Sequence, residues 1–388
     1  MSMGAPALVL GSAHTNSLEV IRLLGRAGIP HFDVATRGSF VARSRWHRAL
    51  PGEPADAGPA ALHRLLACVG FDRAVLIPCT DDWVLPVARL APDLALRFPA
   101  CVAPAETHEI LLDKARFAAA VEQLKVPHPR TIFLDSEDDL ASVPDSALSG
   151  AFLKPRDSQA FGRRYGVKAF RFASRAQASA LLRAARARGL GLVLQEYIPG
   201  PPTRHYFVEG FIDRTGVLRA CMVCRRLRMF PPDFGDGSYG VSVGREEAQP
   251  AVELLTSFLG ALRYRGLFDA EFKYDERDDL FKLVEVNSRP FRYIGFAARC
   301  GVDLVGMAYR DALALPVETV TDYATGRHYY YPYTDVFAGW RALKEGRLTP
   351  WGWARSWQGA YQPLFSKADP LPAVFASLAF LGRASRRG

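Results

Sequence analysis

The sequence predicts a mixed α/β (α+β) protein: a small parallel unit, then a larger unit of antiparallel hairpins, then a strand-poor tail. Three observations predict it. Over the first hundred residues, short apolar runs alternate with helical spacing, the pattern of strands connected by crossovers. From Asp113 to Asn287 the strand-like runs come in pairs joined by polar turns, as hairpins do. After Pro316 strand signals fade and aromatic residues take over. These shifts place the expected domains at 1–103, 104–316 and 317–388.

In the first unit, Ala7-Leu8-Val9-Leu10-Gly11 reads as a strand, Ser17 to Leu24 as a helix, and Ile29 to Val34 and Ala74 to Pro78 as further strands. The first turn, Gly11-Ser12-Ala13-His14-Thr15-Asn16, is not Gly-x-Gly-x-x-Gly, so a dinucleotide site there is poorly supported. In the second unit, Leu111 to Leu124 reads as an amphipathic helix opened by Asp113-Lys114. Thr131 to Leu134 and Ala151 to Pro155 are expected strands. A loop with Gly162 and Gly166, a strand from Val167 to Phe172 and a helix from Ala176 to Arg188 follow. Leu192 to Ile198 is a strand ended by Pro199-Gly200, and Phe207 to Ile212 pairs with Val217 to Cys224 across Asp213-Arg214-Thr215-Gly216. Gly235 to Gly240 reads as a lid or a long turn. In the tail, Leu371 to Leu381 is apolar and is followed by Arg383, Arg386 and Arg387. A helix docked on the body explains it, and a peripheral membrane contact is the second reading.

The segment Gly266 to Pro290 is the most informative. It reads as two strands around the turn Arg277-Asp278-Asp279. Side chains alternate along strands, so a turn centred on Asp278 sets Glu271 opposite Glu285 and Asp269 opposite Asn287. Ala270, Phe272, Val284 and Val286 then form the core face. Like charges directly opposite each other destabilise a sheet. A divalent cation would reverse that penalty, and carboxylate and amide oxygens suit magnesium. A solvated acidic hairpin, with Lys273 as partial counter-charge, is the alternative. Arg289, just past the strand end, favours a metal carried with its phosphates.

Bulk properties bound these readings. The chain has 388 residues, with 49% hydrophobic and 23% charged residues, ordinary for a soluble globular protein. The net charge of +9 suits polyanionic ligands, nucleic acid or an anionic surface. The six cysteines include one Cys221-x-x-Cys224 pair. With no second pair and a strand pattern around them, packing cysteines in a reducing cytoplasm are expected. No signal peptide and no bilayer-length apolar run are apparent. P-loop and zinc-protease motifs are missing.

Other residues point toward phosphate. Lys154 follows apolar strand residues, where burial is costly unless an anion faces it; a snorkelling lysine is the alternative. Lys114 stands at a helix start, where the macrodipole disfavours a cation, so a nearby anion would rationalise it; a solvated surface lysine is the alternative. The backbone from Gln195 through Glu196, Tyr197 and Ile198 could read a purine edge. Alternation sets Arg226 and Arg228 on one face, where they repel unless an anion lies between them.

Together these pieces resemble the ATP-grasp superfamily. The pieces are Asp113-Lys114, Lys154-Pro155, Gln195-Glu196-Tyr197-Ile198-Pro199-Gly200, Arg225-Arg226-Leu227-Arg228, Glu271-Phe272-Lys273 and Glu285-Val286-Asn287-Ser288-Arg289, in the family's order. The arginine strand with Pro231-Pro232-Asp233-Phe234-Gly235 looks like the D-aspartate ligase-like subgroup of carboxylate–amine ligases. The resemblance implies an ATP-grasp fold with an N-terminal pre-ATP-grasp domain, a central ATP-grasp module and an aromatic-rich C-terminal segment. It implies that Lys114 and Lys154 contact ATP phosphates and that Gln195, Glu196, Tyr197 and Ile198 form the adenine hinge. Arg226, Arg228 and Arg289 would stabilise the transferred phosphate, and Glu271, Glu285 and Asn287 would hold Mg2+, or Mn2+ in its place. Two departures stand out. Ser288 replaces the family's usual proline, and Pro201-Pro202-Thr203-Arg204 offers no acidic ribose contact.

The activity so implied is ATP-dependent ligation of a small-molecule carboxylate to an amine through an acyl phosphate. An ATP-grasp carboxylase acting through carboxyphosphate is one rival. A non-catalytic basic nucleotide-, RNA- or membrane-binding protein is another, although facing carboxylates repel nucleic acid. A cytoplasmic location is expected, peripheral to the inner membrane face if the tail makes contact. The basic surface hints at an anionic cell-envelope precursor as partner.

Overall fold

The computed structural model describes residues 4–11, 14–51, 59–156 and 169–384. Gly162, Gly166 and Val167 lie outside the described residues. Three sheets organise the chain. In the first, β1 (Ala7–Leu10), β2 (His31–Asp33) and β3 (Val75–Pro78) run parallel in the order β2-β1-β3. Alternation along β1 serves two cores. Leu8 and Leu10 join the N-terminal core with Trp83 and Phe98, while Ala7 and Val9 face a larger core shared with the central sheet. Burial of both faces is what lets an unbroken apolar run form a parallel strand.

The second sheet is antiparallel, with β4 (Thr131–Leu134), β6 (Leu192–Glu196) and β5 (Ala151–Pro155) side by side in that order. Its core is closed by the helix Arg175–Arg186 through Ala178, Leu182 and Ala185. The third sheet has six strands in the order β11-β10-β7-β8-β9-β12. They are β7 (His205–Ile212), β8 (Leu218–Phe230), β9 (Asp236–Val243), β10 (Gly266–Asp275), β11 (Leu280–Asn287) and β12 (His328–Tyr330). One face packs on the helix Gln249–Ala261 through Leu255, Phe258 and Leu259. At one end of the other face, Phe211, Met222 and Cys224 meet the helix Thr15–Arg26 and the helices Ile294–Arg299 and Leu304–Ala312.

Several expectations need correction. The helix expected from Leu111 to Leu124 is two helices, Ala105–Leu112 and Lys114–Gln123. Asp113 breaks them apart. Its backbone is extended (φ −90, ψ 116) and its side chain accepts from Ala115 N at 2.8 Å and Arg116 N at 3.0 Å, an N-cap. The Gly235–Gly240 segment is neither lid nor long turn, because Asp236 onward pairs with β8 as β9. The strand expected to end at Ile198 ends at Glu196. The β10–β11 register is as expected for Glu271 with Glu285 and Asp269 with Asn287, but it slips next to Glu271. Val284 is the extra residue of a β-bulge, so Leu283, fully buried, takes the core position opposite Phe272.

Cys221 and Cys224 are both buried and free. They are three apart on a strand, so they face opposite cores and cannot grip one metal. Among the described residues no helix is long and apolar enough to cross a membrane.

Candidate active site

The second, polar end of the central sheet's inner face carries most of the expected residues. Strand pairing lays out two rows across β11, β10 and β7: Glu285, Glu271, Phe207, and next to it Asn287, Asp269, Glu209. Asn287 Nδ2 donates to Asp269 Oδ2 at 3.2 Å. The other oxygen of Asp269 is buried and has no hydrogen-bond partner among the described residues. Burial, then the charges of Glu285 and Glu271, push the Asp269 carboxyl up to about 7. Burial beside Asp269 pushes Glu209 up as well. The strand pairing thus gathers carboxylates whose mutual repulsion and burial raise the Asp269 and Glu209 carboxyls.

Cations close the row on one side. Arg226, 4% exposed, places Nη2 3.1 Å from Glu271 Oε1. Its Nε is buried and also lacks a partner among the described residues. Gly237 makes room for it, since a Cβ there would lie 3.1 Å from that nitrogen. His205 Nε2 lies 2.9 Å from Lys273 Nζ, and its Nδ1 lies 2.8 Å from Glu271 Oε1 and 3.2 Å from Arg226 Nη1. Burial, then Arg226, lowers His205 to about 4, and burial, then Arg226, brings Lys273 down to about 8. Sequence reasoning missed His205, and took Lys273 only as a partial counter-charge. Their meeting depends on β7 being the neighbour of β10, and no spacing along the chain carries that strand order.

Arg289 lies at the rim. It reaches Asp81 through Nε at 2.6 Å and Asn287 Oδ1 through Nη2 at 3.3 Å. Asp81 starts a helix of the N-terminal unit, so Arg289 joins that unit to the carboxylate row. Ser288, where proline was expected, holds its Oγ 2.9 Å from Nδ1 of the fully buried His108.

Arg228 differs from expectation. A register shift separates it from Arg226. Arg228 instead forms a two-pronged pair with the fully buried Asp335, at 2.8 and 2.7 Å. Ser238 Oγ (2.8 Å), Trp353 Nε1 (3.2 Å) and Trp357 Nε1 (2.7 Å) also donate to Asp335. Trp353 and Trp357 belong to the segment after Pro316 that sequence reading took only as aromatic-rich.

The lysines and the hinge lie on the second sheet. Lys114 Nζ donates to Pro155 O and to Arg156 O, the latter at 2.9 Å, which brings it beside the strand end bearing half-buried Lys154. Gln195 Nε2 donates to Thr131 Oγ1 at 3.0 Å. The Glu196 carboxylate accepts from Arg130 N at 3.1 Å and pairs with Arg277 on the β10–β11 turn. Tyr197 donates its N–H to Gly150 O at 2.8 Å and its hydroxyl to Asp233 Oδ1 at 2.7 Å. Ile198 is buried. The Glu196–Ile198 segment therefore sits where the second and third sheets meet. Among the described residues, no three His, Cys, Asp or Glu side chains gather around a single metal position; the expected set is two carboxylates and an amide.

No family model matches the chain. The parallel N-terminal sheet, the small antiparallel sheet and the six-stranded sheet form an ATP-grasp fold, shared with ligases and carboxylases of known structure. Among curated proteins the chain is similar to D-aspartate ligase from Enterococcus faecium (strain Aus0004), 24% identical over 264 residues. That match takes in 65% of this chain and 62% of the relative, so the chain spans less than two-thirds of it. Among solved structures, L-amino acid ligase from Bacillus licheniformis superposes with a TM-score of 0.59 at 15% identity, covering 82% of this chain and 76% of that one. Phosphoribosylglycinamide synthetase from Anaerococcus prevotii gives 0.61 at 12% identity, covering 84% and 79%. Biotin carboxylase from Campylobacter jejuni, solved as a β,γ-ATP complex, gives 0.64 at 13% identity, covering 84% and 75%.

Proposed function

We propose that this chain is an ATP-dependent carboxylate–amine ligase. The observation that carries the reading is a pair of orphans on one sheet face: a buried carboxylate oxygen on Asp269 and a buried guanidinium N–H on Arg226. Unpaired buried polar groups are costly. A cation beside the first and an anion beside the second would satisfy both, and a metal-bound nucleotide brings the two together. The similarity to D-aspartate ligase and L-amino acid ligase supports the same reading.

The residues fit a magnesium ion held by Glu271, Glu285 and Asn287, oxygen donors of the kind it prefers. When bound, the ion would neutralise charge on the transferred phosphate. Lys114 and Lys154 would contact the nucleotide phosphates, and the Glu196–Ile198 backbone would read the adenine edge. Arg226 and Arg289 would face the phosphate in flight. Arg228 is paired with Asp335 through Nε and Nη2, so it is left out of that set. In the reaction, a substrate carboxylate oxygen attacks the γ-phosphorus and ADP leaves. The amine nitrogen then attacks the acyl carbon, phosphate departs, and the nitrogen gives up a proton. The protein positions these groups and balances their charge without a covalent nucleophile. A cytoplasmic setting, where ATP is abundant, belongs to the same reading.

The test is Glu285→Ala, assayed for ADP release with amine–carboxylate pairs. Glu285 is exposed, so the fold should survive. Turnover should fall about a hundredfold, on the order of 3 kcal/mol of transition-state stabilisation. Near-normal turnover removes Glu285 from the site. Because the fold is shared with carboxylases, labelled bicarbonate is the control, and its incorporation would replace ligation with carboxylation.

A further inference from the structure

The tail helix Leu371–Ala384 is built inside out. It turns small residues toward the body, with Pro372 and Ala376 buried and Ala373 and Ser377 half-buried. It turns large apolar residues outward. Leu371 is 53% exposed, Val374 49%, Phe375 38%, Leu378 60% and Leu381 63%. Their spacing puts them on one stripe of a helix. A water-facing helix normally shows the reverse pattern.

The stripe is part of a larger surface. Tyr333 stacks on Phe380 at 4.7 Å, and Phe337 lies 6.4 Å from Phe380. Through these rings the stripe continues onto the helix Pro332–Lys344, where Val336, Phe337 and Trp340 are 44%, 42% and 54% exposed. Between the two helices runs a groove of about 470 Å³ whose lining includes Tyr333, Phe365, Val374 and Leu378.

Among the described residues, cations border this surface. Arg43 lies over Phe375 at 4.4 Å, and Lys344 lies over Trp340 at 3.9 Å. Lys367 is exposed nearby in the chain. The helix contains no acidic residue, and the sequence around its end carries Arg383, Arg386 and Arg387. Glu345, after the neighbouring helix, is paired with Arg341 and Arg347.

We propose that this surface docks the protein on an anionic lipid bilayer. Fourteen residues make a helix roughly 21 Å long, too short to cross the hydrocarbon core. Lying in the interface, it would sink its leucines and Phe375 among the acyl chains while Arg43, Lys344 and Lys367 meet the headgroups. A second copy of the chain fits less well. A two-fold contact would set the same cations against each other, whereas an anionic membrane satisfies the apolar stripe and the charge together.

The experiment is co-sedimentation of the full chain with vesicles of phosphatidylcholine alone and of phosphatidylcholine mixed with phosphatidylglycerol. It needs no turnover, so its outcome is independent of the ligase reading. The protein should pellet with the mixed vesicles, stay in solution with the neutral ones, and be released by salt. The double variant Leu378→Glu, Leu381→Glu should lose more than about tenfold in vesicle binding, since each buried leucine contributes on the order of a tenfold. Its thermal unfolding should match the parent, because both side chains face solvent. No pelleting with the mixed vesicles, or equal pelleting of the variant, overturns the proposal. So does a dimer seen by light scattering that the variant dissolves, which would assign the surface to a second copy.

Discussion

Asp335 receives its five donors from two side chains of the central sheet, Arg228 and Ser238, and from Trp353 and Trp357 of the tail. A buried ion pair holds this many groups only when each lone pair is used. Removing one partner leaves the other as an uncompensated charge. Asp335→Asn should therefore destabilise the protein by roughly 3 to 5 kcal/mol, read from urea unfolding. A loss under 1 kcal/mol (roughly what an exposed pair contributes) would mean that Arg228 finds another anion, as its alternation with Arg226 along the strand first suggested.

Among the elements, the β10–β11 hairpin decides the most. Its bulge at Val284 lets Glu271 and Glu285 stay opposite each other while Leu283 fills the core slot against Phe272. Regular pairing would have put Val284 in that slot. The two arrangements differ in which residue carries the packing. Leu283→Ala should cost about 3 kcal/mol, as buried leucines do, and Val284→Ala, half-buried, about 1 kcal/mol or less. Denaturant midpoints of the two variants check this, and the opposite ranking would favour regular pairing. The helix Lys114–Gln123 offers a second check, because Asp113→Ala removes its N-cap and should cost about 1 kcal/mol.

Across the whole molecule, the tail returns to the first unit. Arg22, buried on the helix Thr15–Arg26, bonds Asp369 at 2.8 Å and the carbonyls of Pro363 (2.7 Å) and Leu364 (2.9 Å). Glu19 on the same helix accepts from Tyr361 and lies 3.4 Å from Arg22. Burial pushes Glu19 up to about 7, against the pull of Tyr361 and Arg22. An acid raised in the folded state binds more protons there than in the unfolded chain. Its penalty is absent below about 4.5, grows as pH rises toward 7 and is complete above it. That amounts to on the order of 3 kcal/mol. Glu19→Gln should flatten the fall in stability between pH 5 and pH 8 (roughly the span over which such a group ionises), read from unfolding free energies of both proteins. Parallel curves would mean that Glu19 is not buried as a carboxyl at this junction.

The sequence by itself determined the strands whose residue types allow only one local reading, such as Ala7–Leu10 and Thr131–Leu134. It also determined which carboxylates face each other on the hairpin, because alternation and a short charged turn leave few registers. It pointed to Lys114 and Lys154, which the structure brings to one strand end. Only the tertiary structure decided the rest. Strand order set His205 beside Glu271, the bulge in β8 turned Arg228 toward Asp335, and the return of the tail joined Asp369 to Arg22. These contacts link residues far apart in the chain. Local propensity carries no information about them, and the packing of whole elements selects which distant charges meet.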